Sequence, residues 1–478
     1  MKPTADRIGV RPSGAEDYDL VAIGSGSAAF AAAIRATSLG ARVALVERDR
    51  IGGTCVNVGC IPSKNLLAAS DAFHRAGHNP FSGVTTSAHG VDMAALVDLK
   101  AQVVADLRRE KYIDLAEHYG FDLIQGHATF ADPGRIDIDG LSIRAKNFLI
   151  ATGSAPWAPS IGGLDDSGYL TSTSAMELDE LPKSLVVIGG NYIGLEMGQL
   201  FANLGSKVTI IEALDRIAPL EEPEISEWMT RILADQEIEV VASGSVVRVE
   251  LGPRTSVVAE VGGSERRFEG ERILVATGRR PVLHGLDLER AGVELDGRGG
   301  LVLDDQLRTT NPRVFAAGDV TGAPQFVYVA AAQGTLAADN AIGGADRAID
   351  YGALPRVTFT TPNIAAVGMT DQQAVEAGFE CECRTLELHH VPRARVSLDT
   401  RGVVKIVAER STGKILGVHA VADNAGEVIL AGVYAVKFGL TVKDLADTWA
   451  PYLTMSEAVK LAAQSFSQDV SFLSCCAA

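Results

Sequence analysis

Two stretches of this 478-residue chain follow one plan, and that plan leaves few folds open. In the first, the apolar run Asp19–Ile23 enters Gly24-Ser-Gly26-Ser-Ala-Ala29, an Ala-rich helical stretch continues to about Leu39, and a second apolar run, Arg42–Val46, ends on Glu47. In the second, Ser184–Ile188 enters Gly189-Gly-Asn191-Tyr-Ile-Gly194, a helical stretch continues to about Leu204, and Lys207–Ile211 closes on Glu212. Each acid stands 23 residues past the first glycine of its turn. A strand, glycine turn and helix in this order receive a dinucleotide. The first glycine makes the turn, the second lets a pyrophosphate reach the backbone, and the helix N-terminus offers amide donors and a favourable dipole. The acid is placed for a ribose hydroxyl. Asn191 stands where the second copy should have its second glycine, so the phosphate contact there is expected to differ in detail.

Each copy is followed by an echo, Phe148-Leu-Ile-Ala-Thr152-Gly153 and Ile273-Leu-Val-Ala-Thr-Gly278. From turn to echo the first module spans 129 residues and the second 89, and the extra length of the first holds Cys55 and Cys60. A later apolar strand ends at Gly318-Asp319, a placement suited to a ribityl or phosphate group. From about Pro355 the texture changes to strands at Arg356–Thr360, Val403–Ala408 and Ile415–Ala420, with helices near Asn424–Phe438 and Ser456–Ser467 and no nucleotide turn. The expected fold class is α/β, with two Rossmann-like domains followed by a C-terminal α+β domain that serves as an interface. A polar leader covers 1–17. The first nucleotide domain takes 18–155 and 284–352, the second is inserted at 156–283, and the interface domain with its tail takes 353–478.

Composition removes other classes. With 43 Lys and Arg against 60 Asp and Glu the net charge is −17, which argues against a nucleic-acid binder, since phosphate neutralisation needs clustered bases. No apolar run reaches the ~18–20 residues of a membrane span, and Met1–Asp17 is too polar for a signal segment. These features lead us to expect a cytoplasmic protein with no membrane partner. Six cysteines are too few for a disulfide scaffold, yet they fall into pairs: Cys55 with Cys60, Cys381 with Cys383, and Cys475 with Cys476. In a reducing compartment such pairs point to redox chemistry or metal binding.

The most specific stretch is Gly52-Gly53-Thr54-Cys55-Val-Asn-Val-Gly-Cys60-Ile-Pro-Ser-Lys64. Two thiols this close at the start of a helix can close a disulfide beside a flavin, and the helix N-terminus lowers the pKa of a nearby thiol. With the two modules in their order along nearly the whole chain, it resembles the FAD-dependent pyridine nucleotide disulfide oxidoreductases. The resemblance implies FAD at the first turn, held by Gly24, Gly26, Ala29, Glu47, Gly53, Thr54, Lys64, Thr152, Gly153, Gly318 and Asp319. It implies NADPH or NADH at the second, held by Gly189, Asn191, Gly194, Glu212 and Gly278. Cys60 would be the thiol beside the flavin and Cys55 the one that exchanges with substrate. Lys64 and Glu196 match the ion pair this family places near the flavin. Glu212 disfavours a 2′-phosphate, Arg216 and Lys207 are nearby cations that could offset it, and NADH and NADPH both stay open.

The C-terminal run Ala450-Pro-Tyr452-Leu-Thr454-Met-Ser456-Glu457 separates this chain from its disulfide-reducing relatives, which carry a catalytic His where Tyr452 stands. A phenol with a reference pKa near 10 is a poor proton shuttle at neutral pH. Adjacent Cys475 and Cys476 suit capture of a soft metal ion instead. Together these residues resemble the mercuric ion reductases, here in a core form without a metal-binding leader domain. In that branch Hg(II) is the substrate, the terminal cysteines pass it across a homodimer interface to Cys55 and Cys60, and Tyr192 and Tyr452 line the metal site. Hg(II) would arrive as a complex with small thiols or from a thiol carrier protein. The rival readings are a dihydrolipoamide dehydrogenase-like disulfide reductase and a flavoprotein that sequesters metal without turnover. Cys381 and Cys383 share one strand face and read as structural, with an accessory metal stop as the lesser option. His389, His390 and Arg393 read as interface or core residues.

Overall fold

The computed structural model describes residues 18–252 and 254–473. The polar leader and the Cys475–Cys476 pair therefore lie outside the described residues. The chain divides into two compact units. One takes Met1–Asn65, Val97–Trp157 and Gly278–Ile349, and the other takes Leu66–Leu96, Ala158–Thr277 and Asp350–Ala478.

The first unit is built on a parallel sheet in which Asp122–Gln125, Val43–Glu47, Tyr18–Ile23 and the end of Leu141–Ile150 lie side by side, with Val314–Ala316 pairing the last of these. Ile23 stands opposite both Val46 and Ile150, so the three strands stop level just before the glycine turn. Alternate residues serve opposite faces. Leu20, Ala22 and Leu45 pack with the helix Ser27–Ser38, while Val21, Ile23, Ala44 and Val46 pack with Phe130, Ile136 and Phe148 on the far side. Strands buried on both faces need unbroken apolar runs, which is what this sequence supplies. The helix Ser27–Ser38 also meets Val327–Ala341, and a Cβ on Gly334 would lie 2.1 Å from the Ala28 carbonyl oxygen. Alanines and that glycine let the two backbones approach.

The second unit repeats the parallel plan with Glu239–Val241, Lys207–Ile211, Ser184–Ile188 and Arg272–Val275. A three-stranded antiparallel sheet, Gly244–Glu250, Thr255–Val261 and Ser264–Gly270, lies between its last two strands in sequence. The same unit contains a five-stranded antiparallel sheet ordered Pro355–Thr358, Asn363–Gly368, Ile415–Ala422, Val403–Glu409, Cys381–Glu387. Helices Ala425–Phe438 and Glu457–Gln464 pack on it through Val428, Ile429, Leu461 and Ala462.

One local expectation needs correcting. The Cys55 and Cys60 stretch is two helices and not the start of one: Gly53–Asn57 carries Cys55, and Cys60 opens Cys60–Gly77. The break falls at Val58 and Gly59, where a Cβ on Gly59 would sit 2.9 Å from the Thr54 carbonyl oxygen and 3.2 Å from Cys55 Cα. The second helix can start close against the first only because Gly59 has no side chain.

Candidate active site

The first turn is shaped by what glycine leaves out. Gly24 has φ +113°, and a Cβ on it would lie 2.3 Å from the Ala151 carbonyl oxygen. Gly53, at φ +64°, would place a Cβ 2.5 Å from Gly26 Cα, so the nucleotide turn and the thiol loop touch backbone to backbone. Ser25 completes the link. Its hydroxyl accepts from the Gly52 amide at 3.1 Å and donates to Glu47 at 2.5 Å, while the other Glu47 oxygen accepts from the Asp49 amide at 2.8 Å. A cavity of about 460 Å³ opens here, lined among others by Gly24, Gly26, Glu47, Gly53, Thr54, Thr152 and Gly153. Its size and its bare backbone rim fit a dinucleotide such as FAD.

The remaining residues expected at this cofactor are not among those lining the cavity. Ala29 is a fully buried residue of the helix Ser27–Ser38, and Lys64 lies within Cys60–Gly77. Asp319 accepts from the Ser154 hydroxyl at 2.8 Å, that hydroxyl accepts from Arg279 Nε at 2.8 Å, and the Gly318 amide donates to Gln333 at 2.7 Å. Burial pulls the Arg279 pKa down, against the opposing pull of Asp319 and Cys60.

Cys55 and Cys60 are unbridged. Their mutual hydrogen bond, then burial, push the Cys55 thiol far up, with Lys64 pulling the other way. Asn57 fixes the loop by donating at 2.9 Å to both the Ile51 and Gly53 carbonyls and accepting from Arg108 at 3.1 Å. Sequence reading missed Tyr112. It sits in a π-helical turn, Arg109–Ile113, packs edge-on against Phe30 at 4.8 Å and hydrogen-bonds Ser27. Burial, then the proximity of Cys55 and Cys60, raise its phenol pKa despite Ser27. Turns of this kind gather at functional sites. A π turn leaves no mark in helical periodicity, so nothing in the pattern around Tyr112 signals it.

The second turn repeats the first. A Cβ on Gly189 would meet the Ala276 carbonyl oxygen at 2.6 Å, and one on Gly194 would meet the Gly189 carbonyl oxygen at 1.8 Å. Glu212 accepts from the Gly190 amide at 2.7 Å and from Leu214 at 2.9 Å, the counterpart of the Glu47 arrangement. Asn191 precedes the helix Tyr192–Leu204 in extended backbone, and its buried side-chain oxygen has no hydrogen-bond partner among the described residues. That orphaned acceptor fits a hydrogen-bond donor of the cofactor. Tyr192 donates to Glu221 at 3.2 Å, and Glu196 accepts from the Phe359 amide at 2.9 Å.

Gly278, at φ +132°, belongs with the first unit, where its carbonyl accepts from the Trp157 amide at 3.0 Å. Tyr452 is 47% exposed and Glu457 is buried, its pKa raised chiefly by that burial. Among the described residues no group of three or more His, Cys, Asp or Glu comes together to hold a metal ion.

Two nucleotide cradles, one bound to a loop of paired thiols, define a dithiol oxidoreductase that passes electrons from a nicotinamide cofactor through a flavin. The chain belongs to the pyridine nucleotide-disulphide oxidoreductase family, which matches residues 18–334, and the family's dimerisation domain matches 354–463. With that membership come FAD, NAD(P)H and a homodimer. Within the family it is 52% identical over 471 residues to a mercuric reductase of Bacillus cereus, covering 98% of this chain and 75% of that one. It is 52% identical over 468 residues to a mercuric reductase of Streptomyces lividans, covering 96% and 98%. Among solved structures, the HOCl-induced flavoprotein disulfide reductase RclA of Escherichia coli, in a Cu(II) complex, is 32% identical with a TM-score of 0.85, over 95% of this chain and 100% of that one. LpdA of Mycobacterium tuberculosis is 29% identical with a TM-score of 0.83, over 94% and 100%.

Proposed function

We infer that this chain reduces Hg(II) to elemental mercury with electrons from NAD(P)H. The observation that carries the reading is its match to mercuric reductases over nearly its full length, 98% of the chain in the Bacillus cereus case. On this reading residues 18–155 and 284–352 bind FAD, 156–283 bind NAD(P)H, and 353–478 form the dimer interface. FAD, when bound, supplies a two-electron carrier between the nicotinamide and the thiols. Gly24 and Gly26 would bring the pyrophosphate to the backbone and Glu47 would orient the ribose, and Gly189, Asn191 and Glu212 would do the same for the nicotinamide cofactor. Cys55 and Cys60 bind Hg(II) as two thiolates, which suit so soft an ion. The ion takes two electrons and leaves as a neutral atom with no claim on the thiolates. Cys475 and Cys476 of the partner subunit hand over Hg(II) from small-thiol complexes, with Tyr192 and Tyr452 lining the path. The need for NAD(P)H and reduced thiols supports a cytoplasmic reaction. No described helix is long and apolar enough to cross a membrane.

The test is mercury vapour released in proportion to NAD(P)H consumed under excess small thiol. NAD(P)H oxidation with lipoamide and none with Hg(II) would make this a disulfide reductase. Tight Hg(II) binding without NAD(P)H consumption would make it a sequestering protein.

A further inference from the structure

Cys381 and Cys383 take no part in the reaction above. They lie on Cys381–Glu387, the edge strand of the five-stranded sheet, opposite Glu409 and Val407 of the neighbouring strand. Residues two apart in a strand point to one face. Both cysteines are unbridged and partly exposed, and both pack in one small apolar cluster with Met369, Ala374, Phe379 and Leu416. The short helix Asp371–Glu376 covers this face and brings Asp371 to the thiols: Cys383 hydrogen-bonds its carboxylate, and Cys381 feels its charge. Asp371 is held in turn by its amide, which donates to Glu222 at 2.6 Å. The Cys381 thiol donates to the Phe379 carbonyl at 3.8 Å.

Spacing decides what such a pair can do. Two residues of strand advance about 6.6 Å, and side chains on one face leave in parallel. A disulfide needs Cβ atoms about 3.8 Å apart and sulfurs about 2.05 Å apart, so this pair cannot bridge without moving the backbone. An ion between two sulfurs, at metal–sulfur bonds of roughly 2.3 Å, spans about 4.6 Å, which rotation of the two thiols can reach. Two thiols with one neighbouring carboxylate fall short of the four ligands that a tetrahedral cation needs. A two-coordinate thiophilic ion needs only the two thiols.

We propose that Cys381 and Cys383 form a second, two-coordinate site for Hg(II), a holding place on the edge of the interface domain that exchanges with small-thiol complexes. Only the identity of the ion rests on the reading above. Two Hg–S bonds to the incoming small thiols break and two to the protein form. Each departing thiolate leaves as a thiol with the proton of the cysteine that displaced it, and no electrons move. Burial pushes both thiols up, and Asp371 adds to the rise at each.

The test uses the full-length chain with Cys55, Cys60, Cys475 and Cys476 all replaced by Ala, equilibrated with the Hg(II)–bis-cysteine complex and excess cysteine, then dialysed. One mercury per chain should remain, with a thiolate-to-mercury charge-transfer absorbance. Adding Cys381→Ser or Cys383→Ser alone should release it, because a single thiol cannot outcompete excess cysteine. Retained FAD absorbance checks that each variant is folded. No retained mercury in the four-Ala chain, or mercury retained after either Ser change, overturns the site. Vapour release by the unaltered protein tests reduction separately, so failure there leaves the binding result standing.

Discussion

Glu221 and Arg356, 135 residues apart in the chain, meet in a two-pronged ion pair at 3.1 and 3.0 Å, with the carboxylate 1% exposed. Tyr192 adds its hydroxyl to the same carboxylate, joining the second nucleotide turn to the first strand of the antiparallel sheet. His419 Nδ1 lies 3.9 Å from the same carboxylate, so both prongs of the pair come from Arg356.

Acid should reveal this pair. Burial works to raise the Glu221 carboxyl, and the His419 ring and the Arg356 guanidinium more than offset it, holding it at about 2 against an ordinary 4.5. A depressed carboxyl contributes its stability in full above the unfolded value and loses it as pH falls toward the folded one. The loss therefore falls between about pH 4.5 and 2 and is on the order of 3 kcal/mol. Denaturant melts across that window should show the slope, and Glu221→Gln should flatten it while destabilising the protein by roughly 3–5 kcal/mol at pH 7.

Gly26 offers a clean probe of the flavin cradle. A Cβ there meets only Gly53 Cα, at 3.7 Å, so Gly26→Ala should fold. The added methyl enters the space reserved for the cofactor, and FAD should bind at least about tenfold more weakly, near 1.4 kcal/mol. Undiminished FAD content in the purified variant would remove Gly26 from the site.

Cys55→Ala and Cys60→Ala should each cut mercury release by about a thousandfold or more, because neither remaining thiol can form the two-coordinate complex. Bleaching of the flavin absorbance by NAD(P)H should persist. If vapour release survives either change, the metal is reduced elsewhere.

Tyr452→His tests the choice of chemistry. Imidazole titrates near 6.5 where phenol titrates near 10, so the variant gains a proton shuttle at neutral pH. NAD(P)H oxidation with a small disulfide such as lipoamide should rise by about 10²-fold or more. No rise would mean that more than this side chain separates the chain from disulfide reductases.

The parallel sheets were legible because strands buried on both faces must be written as apolar runs, and the turns because Gly24 and Gly189 have no substitute beside Ala151 and Ala276. The two acids 23 residues on were also legible, although each uses its carboxylate oxygens on the turn and the loop after the strand. The antiparallel sheet was placed with ends off by two residues or fewer at the strands named, since ends depend on capping and not on periodicity. Tyr112 was hidden by its π turn, and Arg356 by distance: no local pattern announces that a strand residue will meet an acid 135 positions earlier. The thiol motif named its cysteines but not the helix break between them, which Gly59 alone decides.

The contact of Gly26 with Gly53 ties two signatures into one inheritable unit. Gly53 cannot acquire a side chain unless the Gly26 backbone moves, and Ser25 holds that backbone through the Gly52 amide. A lineage exploring new electron acceptors at the thiols must therefore keep Gly53, where the thiol loop meets the flavin turn. Variety has to come from elsewhere on the chain, from the positions that face the thiols and not from the loop that carries them.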